Sequence, residues 1–183
     1  DYTPPAVTST PVVFPEGQKG TIWEIGPDKS ELKQIPGLEN VVSVATGDYF
    51  GVALKSDGTV WTWTQSNSTL QQVRGENGLG FLSDVKKIYA GLALKKDGTV
   101  WQWTQTLEAP QNAAPTNLSD VIDIAVGGGH KLALKSDGTI YGWGLNDMGQ
   151  IGIGCTGGSC STVTGPRLIG NFTDVIGIAA GGY

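Results

Sequence analysis

The sequence contains few of the side chains that carry out chemistry: its 183 residues include one histidine, two cysteines and one methionine. Charged residues make up only 16% of the chain. The sequence has no Ser-His-Asp set, phosphate-binding loop or dinucleotide fingerprint. No apolar run is long enough to span a bilayer. We therefore predict a protein that is not an enzyme, needs no cofactor and has no transmembrane segment.

Positive charge is also scarce. The chain has 12 Lys and Arg against 17 Asp and Glu, which gives a formal net charge of −5 and a pI near 4.7. The basic residues are scattered, and the only adjacent pairs are at 86–87 and 95–96. Because nucleic-acid binding depends on clustered Lys and Arg that neutralise phosphates, this composition argues against a nucleic-acid partner.

Glycine, in contrast, is abundant, with 28 residues that punctuate short strand patterns. The clearest unit is residues 121–144, VIDIAVGGGHKLALKSDGTIYGWG. Its middle segment alternates polar and apolar residues, as a half-buried strand does. The Asp137-Gly138 pair is typical of a hairpin turn, because both residues tolerate the positive φ that tight turns need. The unit therefore predicts three antiparallel strands with tight connections.

This unit recurs along the chain. The turn glycines Gly58, Gly98 and Gly138 are 40 residues apart, and each lies between an Asp and a Thr. A fixed period in this range indicates a repeat architecture, and all-β units favour a propeller. The predicted fold class is an all-β propeller of four-stranded antiparallel blades, with about three full blades and partial blades at both ends. The regularly spaced tryptophans predict packing between blades.

The domain organisation follows from the repeats. Residues 1–11 are rich in Pro and Thr and predict a leader or linker. Residues 12–183 hold the repeats, in units at about 12–40, 41–84, 85–120 and 121–174, with 175–183 as the first strand of a further or composite blade. The unit 12–40 lacks an opening strand. Three arrangements stay open: a small ring closed by head and tail, a ring completed by several copies, or a piece of a longer protein.

The fullest unit resembles the repeat of the regulator of chromosome condensation family. The resemblance is carried by residues 124–134, IAVGGGHKLAL, and by residues 141–152, YGWGLNDMGQIG. It implies a β-propeller, and we expect a secreted, bacterial-type member or a fragment of one. It also places His130 at a structural loop position, where Tyr49 and Tyr183 stand in the related units. In the two preceding units, at about 41–84 and 85–120, the sequence differs from the second of these segments.

The loops between strands are the predicted binding surface, because a rigid scaffold presents its loops to partners. The predicted contact residues are Asp48, Tyr49, Phe50, His130, Asn146, Asp147 and Met148. No metal site is predicted, since zinc prefers four ligands and only His130 is left to join the two cysteines.

Two further features bear on the compartment. Cys155 and Cys160 flank a Gly/Ser/Thr loop and predict either a disulfide, which suits an oxidising compartment, or two free thiols. Glycosylation sequons begin at Asn67, Asn117 and Asn171. Together they favour an extracellular or cell-surface location.

The leading functional prediction is a non-catalytic propeller scaffold for extracellular protein binding, or for surface or filament assembly. Its partner is another protein, or a further copy of the chain in a homo-oligomer that completes a ring or fibre. Three alternatives remain open: an inhibitor of a secreted enzyme, a carbohydrate-binding module, and a nucleotide-exchange or chromatin factor. The acidic charge argues against the last of these.

Overall fold

A computed structural model describes residues 11–13, 21–25, 32–47, 50–64, 69–104, 113–155 and 158–182. The predicted all-β fold class is confirmed, because the described residues form strands and only two short 3-10 turns, Glu76–Gly78 and Gly158–Cys160. No helix among them has the length and hydropathy of a membrane span. The strands are β1 (Val12–Val13), β2 (Ile22–Ile25), β3 (Leu32–Ile35), β4 (Val41–Thr46), β5 (Phe50–Lys55), β6 (Val60–Thr64), β7 (Gln71–Gln72), β8 (Val85–Tyr89), β9 (Leu92–Lys95), β10 (Val100–Gln102), β11 (Ala114–Pro115), β12 (Val121–Val126), β13 (His130–Lys135), β14 (Ile140–Leu145) and β15 (Thr162–Leu168).

Three antiparallel meanders form the blades. Blade A is β4-β5-β6-β7 (residues 41–72), blade B is β8-β9-β10-β11 (residues 85–115), and blade C is β12-β13-β14-β15 (residues 121–168). In a meander, the connections between first and second strands and between third and fourth strands lie at the same end. We call this the loop end, and the opposite end, which holds the Asp-Gly hairpins, the turn end.

The turn end shows why the repeated sequence folds as it does. In blade A, Asp57 accepts hydrogen bonds from the amide and the hydroxyl of Thr59, at 3.0 and 2.6 Å. Gly58 has a φ of 82°, and its carbonyl accepts a 3.1 Å bond from the amide of Val85 in blade B. The same links recur at the next turn, where Val121 donates to Gly98 at 3.0 Å. Each hairpin therefore also fixes the start of the following blade.

The residue before each blade also has a left-handed conformation. The φ angles are 56° at Asn40, 59° at Asp84, 59° at Asp120 and 63° at Asp174. Asn and Asp tolerate this region better than other non-glycine residues, because their side chains bond locally to the backbone. The repeated aspartates before the first strands therefore serve as turn residues.

The connection between the first two strands is shorter in blade B than in blades A and C. The first two strands of blade B, β8 and β9, are joined by a two-residue turn at Ala90 and Gly91, and Gly91 has a φ of 79°. The register pairs Tyr89 with Leu92 and Val85 with Lys95. The short spacing in this unit is therefore a tightened connection.

The two ends of the chain differ from the predicted units. In the structure β1 pairs with β4 of blade A, with Val12 opposite Val44, and β2 pairs only with β3. Residues 12–13 therefore join the sheet of the second unit rather than the first. Residues 175–183 were predicted as the first strand of a further or composite blade, and the described part of this segment, 175–182, forms no ladder. A strand needs a neighbour for its hydrogen bonds, and none of the described segments runs beside them in that way.

The apolar core lies between blades. Each blade buries one tryptophan in its third strand or directly after it: Trp63 is 6% exposed, Trp103 6% and Trp143 2%. Trp103 belongs to a cluster formed by blades A and B, and Trp143 to one formed by blades B and C. The tryptophan two residues earlier in each of blades A and B, Trp61 or Trp101, is only half-buried. Inter-blade packing is thus the role of the inner tryptophan of each pair.

Candidate functional site

The longest connection at the loop end belongs to blade C and is organised around Asn146. This side chain is fully buried. Its amide nitrogen donates to the carbonyls of Cys155 and Cys160 at 2.9 and 3.1 Å, and its amide oxygen accepts from the backbone of Ile151 at 3.0 Å. Three bonds from one side chain therefore hold both halves of the connection in place. Asn146 was predicted as a contact residue, but it faces the interior because its hydrogen-bonding capacity is used within the loop.

Asp147 and Met148 form the outer turn of this loop. The carboxylate of Asp147 accepts a 3.0 Å bond from the amide of Met148 and a 3.1 Å bond from the side chain of Gln150. The side chain of Gln150 also accepts from the Met148 amide, at 3.0 Å. The thioether of Met148 is left outside this network, and the residue is 75% exposed. An apolar, adaptable side chain is thus presented on a fixed turn.

A disulfide closes the same loop. Cys155 and Cys160 are bonded, with their Cα atoms 6.0 Å apart. The segment Gly158–Cys160 forms a 3-10 turn beside it. The cross-link limits the conformations of the loop and adds to the restraint from Asn146.

The second loop predicted to bind, residues 127–130, lies directly beside this one. The carbonyl of Gly129 accepts a 2.9 Å bond from the amide of Leu145, and His130 is the register partner of Gly144. His130 itself is 5% exposed, and its Nδ1 has no hydrogen-bond partner in the described part of the chain. Burial lowers the pKa of its imidazole below the ordinary value. His130 therefore supports the loop, in the structural position that the family resemblance implies, and does not offer a contact surface.

The third predicted loop, in blade A, is described only in part. Asp48, Tyr49 and the sequon residue Asn67 lie outside the described residues. Phe50 is half-buried, and its carbonyl accepts a 3.0 Å bond from Gly47. The structure therefore brings together the two loops of blade C and leaves Asp147 and Met148 as the predicted residues with exposed side chains.

The turn end carries a repeated polar set that the sequence reasoning treated only as turn chemistry. In blades A and B, the tryptophan after the turn donates from Nε1 to the turn threonine, at 3.1 Å from Trp61 and 3.2 Å from Trp101. A lysine from the second strand lies over each ring, with Nζ at 5.7 and 5.4 Å from the ring centroid. The repeated Lys-x-Asp-Gly-Thr-x-Trp spacing was the feature of the sequence from which this set could have been predicted.

The described residues give no support for a metal centre, because no group of three His, Cys, Asp or Glu side chains among them is placed to hold an ion. The sequon residues Asn117 and Asn171 are exposed at the turn end. The disulfide, the exposed Met148 turn and the turn-end set are thus the chemical features on which a function can be built.

Comparison with known proteins identifies the repeat. Two profiles described as the regulator of chromosome condensation (RCC1) repeat match the chain, one at residues 41–63 and 121–150 and the other at 137–183. A search of curated proteins returns no match.

Solved structures show the same fold. Prp20p from Saccharomyces cerevisiae, a protein with binding properties toward Gsp1p and histones, is 17% identical with a TM-score of 0.60, and the match covers 83% of this chain and 44% of that one. Human WBSCR16 is 19% identical with a TM-score of 0.62, over 84% of this chain and 46% of that one. The chain thus spans less than half the length of either protein. Models of the regulator of chromosome condensation repeat thus match two parts of the chain, residues 41–63 and 121–183, and the fold is that of β-propeller blades.

Proposed function

We propose that this chain is a non-catalytic, protein-binding propeller scaffold whose contact surface is the loop end of blade C, centred on Asp147 and Met148. The observation that carries the proposal is the 75% exposure of Met148 on a loop held by Asn146 and by the Cys155–Cys160 disulfide. A restrained loop loses little conformational entropy on binding, so its exposed side chains contribute more to affinity. Methionine adapts its shape to an apolar partner surface.

The fold comparison supports protein binding as the class of function, but it does not indicate which protein is bound. Prp20p binds Gsp1p and histones, which are proteins. At 17% identity the likeness extends to the fold, so the partner of this chain has to be defined by its own surface. The chemistry of that surface is one apolar side chain next to one carboxylate. We therefore expect a partner with a shallow apolar pocket bordered by a Lys or Arg.

A photo-crosslinking residue at position 148 tests the proposal. The matched control carries the same residue at position 96, which is exposed at the turn end of blade B. We expect one protein adduct from position 148 that is absent at position 96 and is lost when Asp147 is replaced by Lys. Equal adducts from both positions, or an adduct insensitive to Asp147→Lys, would contradict the proposed surface.

The compartment is part of the same proposal: we place the scaffold at the cell surface or outside the cell. The Cys155–Cys160 disulfide and the exposed sequon residues Asn117 and Asn171 support this location, because both features belong to oxidising, secretory environments. Intact protein from its native source should gain the mass of two alkyl groups only after reduction. Alkylation without prior reduction would argue for a reducing compartment.

Self-assembly is the second candidate. It is favoured by residues 175–182, which lie along blade C with a 3.1 Å bond from Gly128 to the carbonyl of Gly181 and form no ladder of their own. Ile176 in this segment is 96% exposed. An extended segment outside a ladder, with an exposed apolar side chain, is a template for a strand from another copy. Sedimentation equilibrium should then show a multimer that Ile176→Lys dissociates, whereas a monomer at all concentrations would exclude this function.

A further inference from the structure

A pocket of about 350 Å³ opens at the turn end of blade B. It lies at the opposite end of the blades from the proposed protein-binding loops, so the inference does not rest on that proposal. Trp101 is the half-buried aromatic side chain within it. The lining consists of Lys95, Asp97, Thr99, Trp101, Pro115 and the segment 117–119.

The polar groups on one side of the pocket are fixed relative to the indole ring. Thr99 donates from its hydroxyl and its amide to Asp97, at 2.6 and 2.9 Å, and accepts from Trp101 Nε1 at 3.2 Å. These two bonds from Thr99 hold the pKa of the Asp97 carboxyl below its ordinary value, so the group is an acceptor at neutral pH. Lys95 Nζ lies 5.4 Å from the ring centroid. Lys95 is half-buried, and a cation–π contact is weak enough for its ammonium to leave the ring at small cost.

The same set exists in the other blades, but the opposite wall differs. In blade B the residue paired with Trp101 across the sheet is Pro115, a flat apolar ring. In blade A the equivalent partner of Trp61 is Gln72. In blade C the aromatic residue is Tyr141 and its partner is Leu168. Blade B therefore combines an indole with an apolar wall beside the fixed carboxylate.

The segment after β11 adds hydrogen-bonding groups. Asn117 is exposed, has a φ of 63° and offers both an amide donor and an amide acceptor. Ser119 donates its hydroxyl to Asp120 at 2.8 Å, which leaves its oxygen lone pairs as acceptors. The pocket thus presents an aromatic face, a carboxylate, an amide and a hydroxyl around a space at the small end of the range for ligand sites.

A pyranose ring has the matching chemistry: one face of C–H groups that packs on an indole, and an edge of vicinal hydroxyls that bond to carboxylates and amides. We propose that the Trp101 pocket binds a single hexopyranose unit, with the sugar's C–H face against Trp101 and its hydroxyls bonded to Asp97 and Asn117. The mixed charge of Lys95 and Asp97 favours a neutral sugar over a strongly anionic one.

The sugar has two possible sources. One is a separate glycan, and the other is a glycan attached to Asn117, which begins the sequon Asn117-Leu118-Ser119 that lines the pocket. In both cases a pyranose ring packs against the indole of Trp101. Protein made in a bacterial host without N-glycosylation has an empty Asn117 and tests the first source, and protein made in a secretory eukaryotic host tests the second.

The experiment follows the indole Nε1–H resonance of Trp101 by NMR during titration with methyl pyranosides of glucose, galactose, mannose and N-acetylglucosamine. We expect at least one sugar to shift this resonance, with a dissociation constant in the millimolar range (on the order of 1 mM) that is ordinary for a single ring. The variant Asn117→Gly keeps the positive φ and should weaken binding at least about tenfold. The matched control is Asn171→Gly, the same change at the exposed sequon of blade C.

Two results of the titration would overturn the proposal. No shift with any of the four sugars, or equal weakening by the two glycine variants, overturns the proposal. Trp101→Leu should abolish binding, and an unchanged Trp143 Nε1–H resonance in that variant shows that the fold persists. If protein from the secretory host carries a glycan on Asn117, a shifted Trp101 resonance without added sugar identifies the attached ring as the occupant, whereas an unshifted resonance leaves the pocket to a separate sugar.

Discussion

The two interfaces between consecutive blades have the same apolar framework but different polar contacts. At the B–C interface, Trp143 donates from Nε1 to the side chain of Gln102 at 2.9 Å. At the A–B interface, the equivalent tryptophan is Trp103, whose buried Nε1 has no hydrogen-bond partner among the described residues. The position equivalent to Gln102 is Thr62, whose side chain is shorter. The comparison shows that both interfaces bury the ring, while only the B–C interface supplies a described hydrogen-bond partner for its Nε1.

A second polar contact also distinguishes the B–C interface from the A–B interface. Lys87 at the start of blade B forms an ion pair with Asp123 at the start of blade C. One interface earlier, the equivalent positions are Ser43 and Lys87 itself, so no opposite charge is available. The A–B interface adds instead a 3.0 Å backbone bond from Ala113 to the carbonyl of Arg74. Blade C, which carries the proposed contact loop, is thus joined to its neighbour by two side-chain links.

The largest expected effect is the loss of the shared indole at the B–C interface. Trp143→Ala removes a fully buried side chain and should lower the free energy of unfolding by about 3–5 kcal/mol. The measurement is urea denaturation followed by circular dichroism. The control is Trp23→Ala, at a tryptophan that is 55% exposed, which should change stability by less than about 0.5 kcal/mol. Similar losses in the two variants would contradict the packing role of Trp143.

Replacing each ring by one without a donor sharpens the comparison. Trp143→Phe leaves the side chain of Gln102 without its partner, whereas Trp103→Phe removes a donor that is already unpaired. We expect Trp143→Phe to cost roughly 1–3 kcal/mol more than Trp103→Phe in the same denaturation assay. Equal costs would show that the hydrogen bond does not distinguish the interfaces.

The missing contact can also be supplied at the A–B interface. Thr62→Gln places an amide oxygen at the position that Gln102 occupies one blade later, where it can accept from Trp103 Nε1. We expect a gain of about 0.5–1.5 kcal/mol in the free energy of unfolding. The gain should vanish in a Trp103→Phe background. A gain that persists there would have to come from packing alone.

The smallest expected effect concerns the ion pair. Lys87→Gln should lower stability by about 0.2–1 kcal/mol, because both partners are partly exposed to water. The loss should shrink as salt is added, since screening weakens a pair of this kind. The control Lys86→Gln changes the exposed neighbouring lysine. A loss that is the same at low and high salt would argue against an electrostatic origin.

The repeated parts of the fold were predictable, because identical local chemistry recurs at a fixed spacing. The Asp-Gly turns and the buried tryptophans both follow from that repetition. The Gln102–Trp143 bond was not predictable, since position 102 corresponds to Thr62 and Gly142 in the other blades and so shows no pattern. A polar link of this kind depends on distances across an interface, which a repeat does not encode.

The candidate site was predicted only in part, for a related reason. The loops were identified by their position between strands, and Met148 is exposed as expected. Asn146 was predicted as a contact residue because it lies in a loop between strands, where a rigid scaffold presents side chains to partners. Its burial arises from carbonyls 9 and 14 residues further along, which return to it only when the loop has folded. Non-local closure of a loop leaves no periodic signal in the sequence.

The central claim is that Trp143 and Gln102 form a direct side-chain hydrogen bond between blades B and C, whereas among the described residues the equivalent indole, Trp103, has no such partner in blade A. A double-mutant cycle measures it directly, with Gln102→Leu and Trp143→Phe singly and together, and with Thr62→Val and Trp103→Phe as the parallel cycle. We predict a coupling free energy of about 1 kcal/mol for the first pair and a value near zero for the second. Equal couplings in the two cycles would contradict the account.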